Sequence, residues 1–256
     1  MTLLEAKGVT HFFGGLCAVS DFNLSVQQDE LLGIIGPNGA GKTTVFNIIT
    51  GVYRASQGSL LFDGKVIVGV PPDRIVAMGI ARTFQNIRLF SELTVLDNIR
   101  IAHYGRTDYT PLEALFHVGR YGAEEKRIRA HSRELLALFG MEGLARETAK
   151  NLPYGLQRRL EIIRALATGP RLLLLDEPAA GMNPREVDRL MEFIGWIRKE
   201  FRLAIILIEH QMRLVMGICE RLVVLDFGAT IAEGPPDTIK RDPQVLEAYL
   251  GRVTHQ

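Results

Sequence analysis

The chain has 256 residues, 47% of them hydrophobic and 23% charged, and a formal net charge of +1. That length accommodates one large α/β domain, or a core domain with an inserted subdomain, and the composition is ordinary for a folded soluble protein. The near-zero charge excludes a global electrostatic pull on nucleic acid or anionic lipid, and no apolar run approaches the roughly 20 residues that span a membrane.

The first stretch, residues 3–35, reads as strand-rich. Leu24-Ser25-Val26 alternates in polarity, and Glu30 to Ile35 is a short apolar run suited to a buried strand. Met1 to Glu5 lacks a basic segment followed by an apolar core, so it does not read as a signal peptide, and any action at a membrane is expected to go through a partner. The two cysteines, Cys17 and Cys219, have neither metal nor redox spacing, which points to a reducing cytosol. The six histidines show no metal-ligand spacing.

Next comes Gly36-Pro37-Asn38-Gly39-Ala40-Gly41-Lys42-Thr43, a full match to G-x-x-x-x-G-K-[ST]. Its glycines let successive backbone N–H groups turn toward a phosphate chain. Lys42 supplies a positive charge for the β- and γ-phosphates, and the Thr43 hydroxyl is a ligand for Mg²⁺. An ordinary glycine-rich turn is the competing reading. The flanks decide against it, because a helix follows with Val45, Phe46, Ile48 and Ile49 at helical spacing and Gly51 as its stop. Strand, glycine loop and helix N-terminus come in the order phosphate binding requires.

Gly58 to Gly64 predicts a strand ending at an Asp-Gly turn, and Pro71-Pro72-Asp73 opens a helix through about Met78. From Ser91 to about Lys150 the character is mostly helical, with a polar, irregular stretch from Gly105 to Pro111. Leu93, Val95, Leu96 and Ile99 suggest one helix. Ala123 to Phe139 suggests another, with Ile128, Leu135, Leu136, Leu138 and Phe139 as its apolar face. The charge run Glu124 to Arg127 with Arg129 reads as a solvated helix face, its mixed signs arguing against nucleic acid.

The α/β pattern is expected to resume after Pro153. Leu172 to Leu175, Leu203 to Ile208 and Leu222 to Leu225 suit strands, the first two buried on both faces of a parallel sheet. The first runs into Asp176-Glu177, so both carboxylates reach the sheet edge that carries the glycine loop. Asp176 is placed to help hold Mg²⁺ through water, and Glu177 to polarise a water against the γ-phosphate. The second strand ends at Glu209-His210. His210 is either structural or a γ-phosphate contact, and spacing leaves both open.

Taken together these motifs resemble the ATP-binding subunit of an ABC transporter. Beside Gly36–Thr43 and Leu172–Glu177, the chain carries Thr83-Phe84-Gln85, Leu152-Pro153-Tyr154-Gly155-Leu156-Gln157-Arg158-Arg159, Asn183 and His210 in that family's order. Phe46 to Gly51, Gly79 to Phe90, Ala179 to Pro184 and Glu247-Ala248-Tyr249-Leu250-Gly251 are similar to its branched-chain amino acid uptake group. The resemblance implies a P-loop α/β core, an antiparallel β subdomain and a helical subdomain at about 86–151. It implies ATP and Mg²⁺ as ligands. Gly36 to Thr43, with Thr44, would hold the phosphates, Phe13 or its neighbour Phe12 would stack on adenine, and Pro153, Tyr154 and Gly155 would meet the γ-phosphate held by an opposite subunit. Thr43, Gln85 and Asp176 would serve the metal. Glu177, His210, Lys42 and Gln85 would carry the chemistry, with Gln85 coupling the site to a membrane partner through Asn86 to Phe90. Asn183 would lie in the loop that crosses between subunits.

The implied partners are a second ATP-binding subunit, a different chain or a second copy of this one, two transmembrane permease subunits, and indirectly a substrate-binding protein, at the cytoplasmic face of the cell membrane. No nucleic acid is implied. Urea or amide uptake, lipopolysaccharide export and a soluble non-transport ABC ATPase are the alternatives. A P-loop kinase or GTPase leaves the Gln85 and 152–159 segments unexplained. The usual signature is Leu-Ser-Gly-Gly-Gln. Pro153, Tyr154 and Leu156 depart from it, which predicts weaker hydrolysis at the composite site this signature completes. Gln211, where the group usually has aspartate, is a further departure.

Overall fold

The computed structural model describes residues 2–107 and 109–250. Two compact units emerge, one from Met1–Gln85 with Arg171–Gln256, the other from Asn86–Pro170. In chain order the first carries β1 (Thr2–Phe13), β2 (Leu16–Gln27), β3 (Leu31–Ile35), α1 (Lys42–Ile49), β4 (Gln57–Phe62), β5 (Lys65–Val66), α2 (Pro72–Met78) and β6 (Ile80–Arg82). The second unit holds α3 (Val95–His103), α4 (Pro111–Phe116), α5 (Tyr121–Leu138) and α6 (Tyr154–Ala167). The first unit resumes with β7 (Leu172–Asp176), α7 (Pro184–Phe201), β8 (Ala204–Ile208), α8 (Met212–Ile218), β9 (Arg221–Asp226), β10 (Ala229–Gly234), α9 (Pro236–Ile239) and α10 (Pro243–Leu250).

The first unit is built on two sheets. One is antiparallel, ordered β2-β1-β4-β5. In β2 the alternation expected from sequence is realised, with Leu24 and Val26 buried and Ser25 exposed. Asp63 and Gly64 both take left-handed φ, 51° and 74°, as a tight hairpin between β4 and β5 requires. The other sheet is ordered β10-β9-β3-β8-β7-β6 and is parallel except where β10 meets β9. Every residue of β3, β7 and β8 is buried, which is why these strands are near-continuous apolar runs, broken only by Gly33 and by Asp176 at the end of β7, rather than alternating ones. Because β3, β8 and β7 are parallel neighbours, Gly36, Glu209 and Glu177 all leave the sheet at one edge. That edge is where ligands bind in open α/β sheets.

The helical unit packs α3, α5 and α6 on one another around Ile99, Ile128, Leu136, Leu160 and Ile163. Its end lies at Pro170 rather than near residue 151, because α6 packs with α3 and α5, and the α/β pattern resumes at Leu172 rather than after Pro153. The stretch 105–111, expected to be irregular, is bracketed by a single helical turn at Tyr104–Arg106 and by the start of α4 at Pro111. Leu138, expected on the apolar face of α5, is exposed, whereas Phe139 just beyond the helix is buried. The charged face of α5 is not uniformly solvated. Glu124 is buried, and Glu125 takes bonds from Arg100 Nη2 at 2.6 Å and Tyr109 Oη at 3.2 Å.

Candidate active site

The phosphate loop hangs between the central strand β3 and α1. Gly36 has φ +147°, and a Cβ there would stand 2.0 Å from the Leu225 carbonyl oxygen, so only glycine fits. Gly41 precedes α1 with φ +97°, and a Cβ would meet the Ala18 carbonyl at 2.6 Å. No side chain caps α1. Its first-turn N–H groups and its dipole therefore offer themselves to an anion. Lys42 is 8% exposed, and its Nζ donates to the carbonyls of Gly36 at 2.7 Å and Pro37 at 2.8 Å. Burial pulls its pKa down, against the pull upward of Glu177 and Asp176, so all three side chains share one electrostatic neighbourhood. Thr43 is exposed and Thr44 half-buried, as are Asn38 and Pro37 respectively, while Ala40 is buried. Gly39, at the exposed crest, has φ +82°.

Asp176 closes β7 in the interior, where Arg82 Nη2 donates to its Oδ2 at 2.6 Å. Arg82 also reaches Asn47 Oδ1 at 2.7 Å and lies over the rings of Phe46 and Phe84. It ties the carboxylate to α1 and to the strand leading to Gln85. Sequence reading missed this residue, although it stands between buried Ala81 and Thr83 just upstream of Gln85, where an unpaired cation would be costly.

Glu177 turns out of the strand with φ 45°, its N–H donating to the Ile208 carbonyl at 2.9 Å. Its Oε2 accepts from Gln85 Nε2 at 2.7 Å and lies 3.7 Å from His210 Nδ1. Gln85, Glu177 and His210 thus converge, although 92 residues separate the first pair. His210 is exposed. The same holds for Phe13, which is 43% exposed at the end of β1, edge-on to His11 and Tyr53. Phe12 is equally open at 42%, so exposure does not rank the pair.

Asn183 caps α7. Its side chain accepts from the N–H groups of Arg185 and Glu186, and Glu186 answers on the Asn183 N–H at 2.9 Å. In the helical unit, Pro153 is the residue before α6, not part of its first turn, and no side chain caps that helix. Pro153, Tyr154 and Gly155 are all exposed there. Gly251, which closes the sequence similarity at the C-terminus, lies outside the described residues.

These residues fit nucleotide and metal. The loop is an amide cradle with a lysine inside it. Thr43, Gln85 and Asp176 offer the oxygen donors that Mg²⁺ prefers. Among the described residues no group of three or more His, Cys, Asp or Glu could hold a metal ion.

Comparison with known proteins agrees with this chemistry. Residues 19–180 match the family described as ABC transporter, and residues 229–255 match one described as branched-chain amino acid ATP-binding cassette transporter. The chain is 43% identical to the high-affinity branched-chain amino acid transport ATP-binding protein BraF of Pseudomonas aeruginosa, over 98% of each chain. It is 42% identical to LivG of Escherichia coli, an ATP-binding protein of the same description, again over 98% of each. Among solved structures it resembles the ADP conformation of MJ1267, an ATP-binding cassette of an ABC transporter. The TM-score is 0.85 and the identity 31%, covering 98% of this chain and 99% of that one.

Proposed function

This chain belongs to the ABC transporter family of ATP-binding subunits, an ATPase coupled to transport, and on that premise we propose that it powers the import of branched-chain amino acids. The observation that carries the cargo is the match of residues 229–255 to the branched-chain group, which joins full-length identity to BraF and LivG. No helix among the described residues is long and apolar enough to cross a membrane, so two permease subunits would provide the path. A second ATP-binding subunit, of a different sequence, would close face to face with this one at the cytoplasmic side, and a substrate-binding protein would deliver cargo.

In this reading the reaction is in-line attack of water on the γ-phosphate of ATP. The loop amides from Gly36 to Thr43, the α1 dipole and Lys42 stabilise charge on the phosphates before and during transfer. Thr43, Gln85 and Asp176 would hold Mg²⁺, which when bound neutralises phosphate charge. Glu177 polarises the water. Gln85, already bonded to Glu177, orients it, and His210, beside the same Glu177 oxygen, steadies the γ-phosphate. Phe13 stacks on adenine, with Phe12 as the alternative. Pro153, Tyr154 and Gly155 meet ATP held by the partner subunit, whose own signature meets ATP held here.

The test is to purify the chain with its native membrane partners, identify them by mass spectrometry and reconstitute the complex in liposomes. ATP-dependent uptake of leucine, isoleucine or valine is expected. Uptake of urea or an amide instead would overturn the cargo, and co-purification with ribosomes or nucleic acid and no permease would overturn the importer. Lipopolysaccharide export is the second reading, since the chain is also 34% identical to LptB of Haemophilus influenzae, named for that system.

A further inference from the structure

Glu209 has no part in the chemistry above, yet it is a carboxylate with 0% exposure one residue before His210. Its hydrogen-bond partners are all backbone, and the His210 ring stands beside it with Nδ1 4.0 Å from Oε2. Oε1 accepts from the Ala179 N–H at 2.7 Å, and Oε2 from the N–H groups of His210 at 3.1 Å and Gln211 at 3.3 Å. Each oxygen therefore serves a different loop. Ala179 stands two residues after Glu177, in the turn between β7 and α7. His210 and Gln211 stand between β8 and α8. A second tie runs between the same two loops, from Gln211 Nε2 to the Ala179 carbonyl at 2.9 Å. Both backbone polar groups of Ala179 are thus held by side chains that follow β8.

We propose that Glu209 is a positioning residue for ATP hydrolysis, clamping the loop that carries Glu177 to the loop that carries His210, with Gln211 as the second arm of the clamp. The proposal rests on the roles given above to Glu177 and His210. Glu177 sits in the left-handed region at φ 45°, a conformation that a non-glycine residue keeps only when its surroundings impose it. Its own N–H bond to Ile208 fixes one end of that turn. Glu209 and Gln211 fix the other end, and the 3.7 Å spacing of Glu177 and His210 follows from both. A buried carboxylate is costly, and burial pushes the Glu209 pKa up even against three N–H donors. An aliphatic side chain would fill the space without that cost, but it could not bind both loops. Gln211 fits the same account. An ionised aspartate, the residue usual at this position, has no N–H to give Ala179 and is one methylene shorter.

The experiment compares ATP turnover and ATP binding in the purified, assembled transporter for Glu209→Gln, Gln211→Ala and the reference Glu177→Gln. Glu209→Gln keeps the shape but turns an NH₂ toward an N–H. It is expected to lower kcat at least about tenfold, with ATP affinity and KM within about twofold of wild type. Gln211→Ala is expected to lower kcat about threefold with the same split. Should Glu209→Gln fail to assemble, Gln211→Ala decides alone, since it leaves the buried carboxylate in place. The clamp is refuted by kcat within twofold of wild type in the variants that assemble, or by ATP affinity falling in step with kcat. A Glu177→Gln protein with full turnover would refute the underlying site reading. An inactive Glu177→Gln beside unaffected clamp variants would refute the clamp alone.

Discussion

Two helices, α1 in the core unit and α6 in the helical unit, open the two glycine-bearing motifs, and both begin without a side-chain cap. Three other helices, α3, α4 and α7, show what a capped start looks like. Thr94 accepts from Asp97 N, Thr110 from Glu113 N, and Asn183 from two first-turn amides. Open starts recur at α2, α5, α8 and α9, so a missing cap, which forgoes about 1 kcal/mol per helix, marks no site by itself, and α1 and α6 are told apart by what surrounds them. They are equipped differently. The start of α1 comes with a buried lysine folded onto the loop's own carbonyls. At the start of α6 stand Pro153 and an exposed Tyr154, and the arginine one turn on, Arg158, is committed to Glu161 at 2.8 Å with both side chains 1% exposed. The first is a cradle with its own cation. The second offers amides and a dipole, which suits it to complete a phosphate site held elsewhere.

The sharpest way to break that contrast is to remove the cation. Lys42→Ala is expected to lower ATP turnover of the assembled transporter by about 10²–10³-fold, the cost of losing one preorganised charge at a transferring phosphoryl group. A loss under tenfold would mean that the loop amides alone suffice, and α1 would then differ little from α6. The converse substitution arms α6. Pro153→Ser with Leu156→Gln restores a hydroxyl and an amide to its start, each worth about 1–3 kcal/mol toward a charged partner. Turnover should rise, by up to about tenfold if that composite site limits the cycle. Unchanged turnover would show that the departures at Pro153 and Leu156 do not weaken the site.

A smaller effect separates catalytic from structural caps. Asn183→Ala removes the α7 cap and should destabilise the core unit by about 0.5–2 kcal/mol, read as a lower melting temperature. The single change Pro153→Ser should move stability the opposite way, by about 1 kcal/mol, because it supplies α6 with the missing acceptor. If Pro153→Ser left the melting temperature unchanged, the α6 amides would already be satisfied and the comparison with α1 would lapse.

What the sequence made legible is local, and what it hid is long-range. Gly36 to Thr43 could be read because strand, loop and helix are contiguous, and the glycine conformations follow from the motif. Asp176 and Glu177 could be read because a four-leucine strand runs straight into them. Arg82 could not, since its partner Asp176 lies 94 residues away and only the β6–β7 pairing brings them together. Glu209 looked like a strand end for the same reason, its Ala179 partner being 30 residues distant. The helical unit hid its boundary in packing rather than periodicity, because α6 carries an apolar face that would serve either unit. Charge runs mislead in the same way. Glu124 is buried within a stretch that reads as solvated, and only the neighbouring helix tells it apart from Lys126.

The helical unit also contains a titrating group that the core unit's site does not need. A cavity of about 520 Å³ is lined by Glu124, Arg127, His131 and Glu134 around His103. Burial, then the nearby His131 and Arg127, lower the His103 pKa to about 4 from its ordinary 6.5. Its ring stands edge-on to that of His131 at 5.2 Å, and His131 Nδ1 lies 3.7 Å from Glu134. The sign follows from linkage. Between pH 6.5 and about 4 the unfolded chain binds a proton that folded His103 refuses, so stability is full above 6.5 and falls as acid is added, the loss complete below about 4. His103 is only half-buried, so solvent trims the effect to about 1–2 kcal/mol. His103→Gln should flatten the fall in melting temperature between pH 6.5 and 4.5 while leaving ATP turnover at pH 7.5 unchanged. A fall as steep as in the wild type would show that His103 does not carry the acid sensitivity.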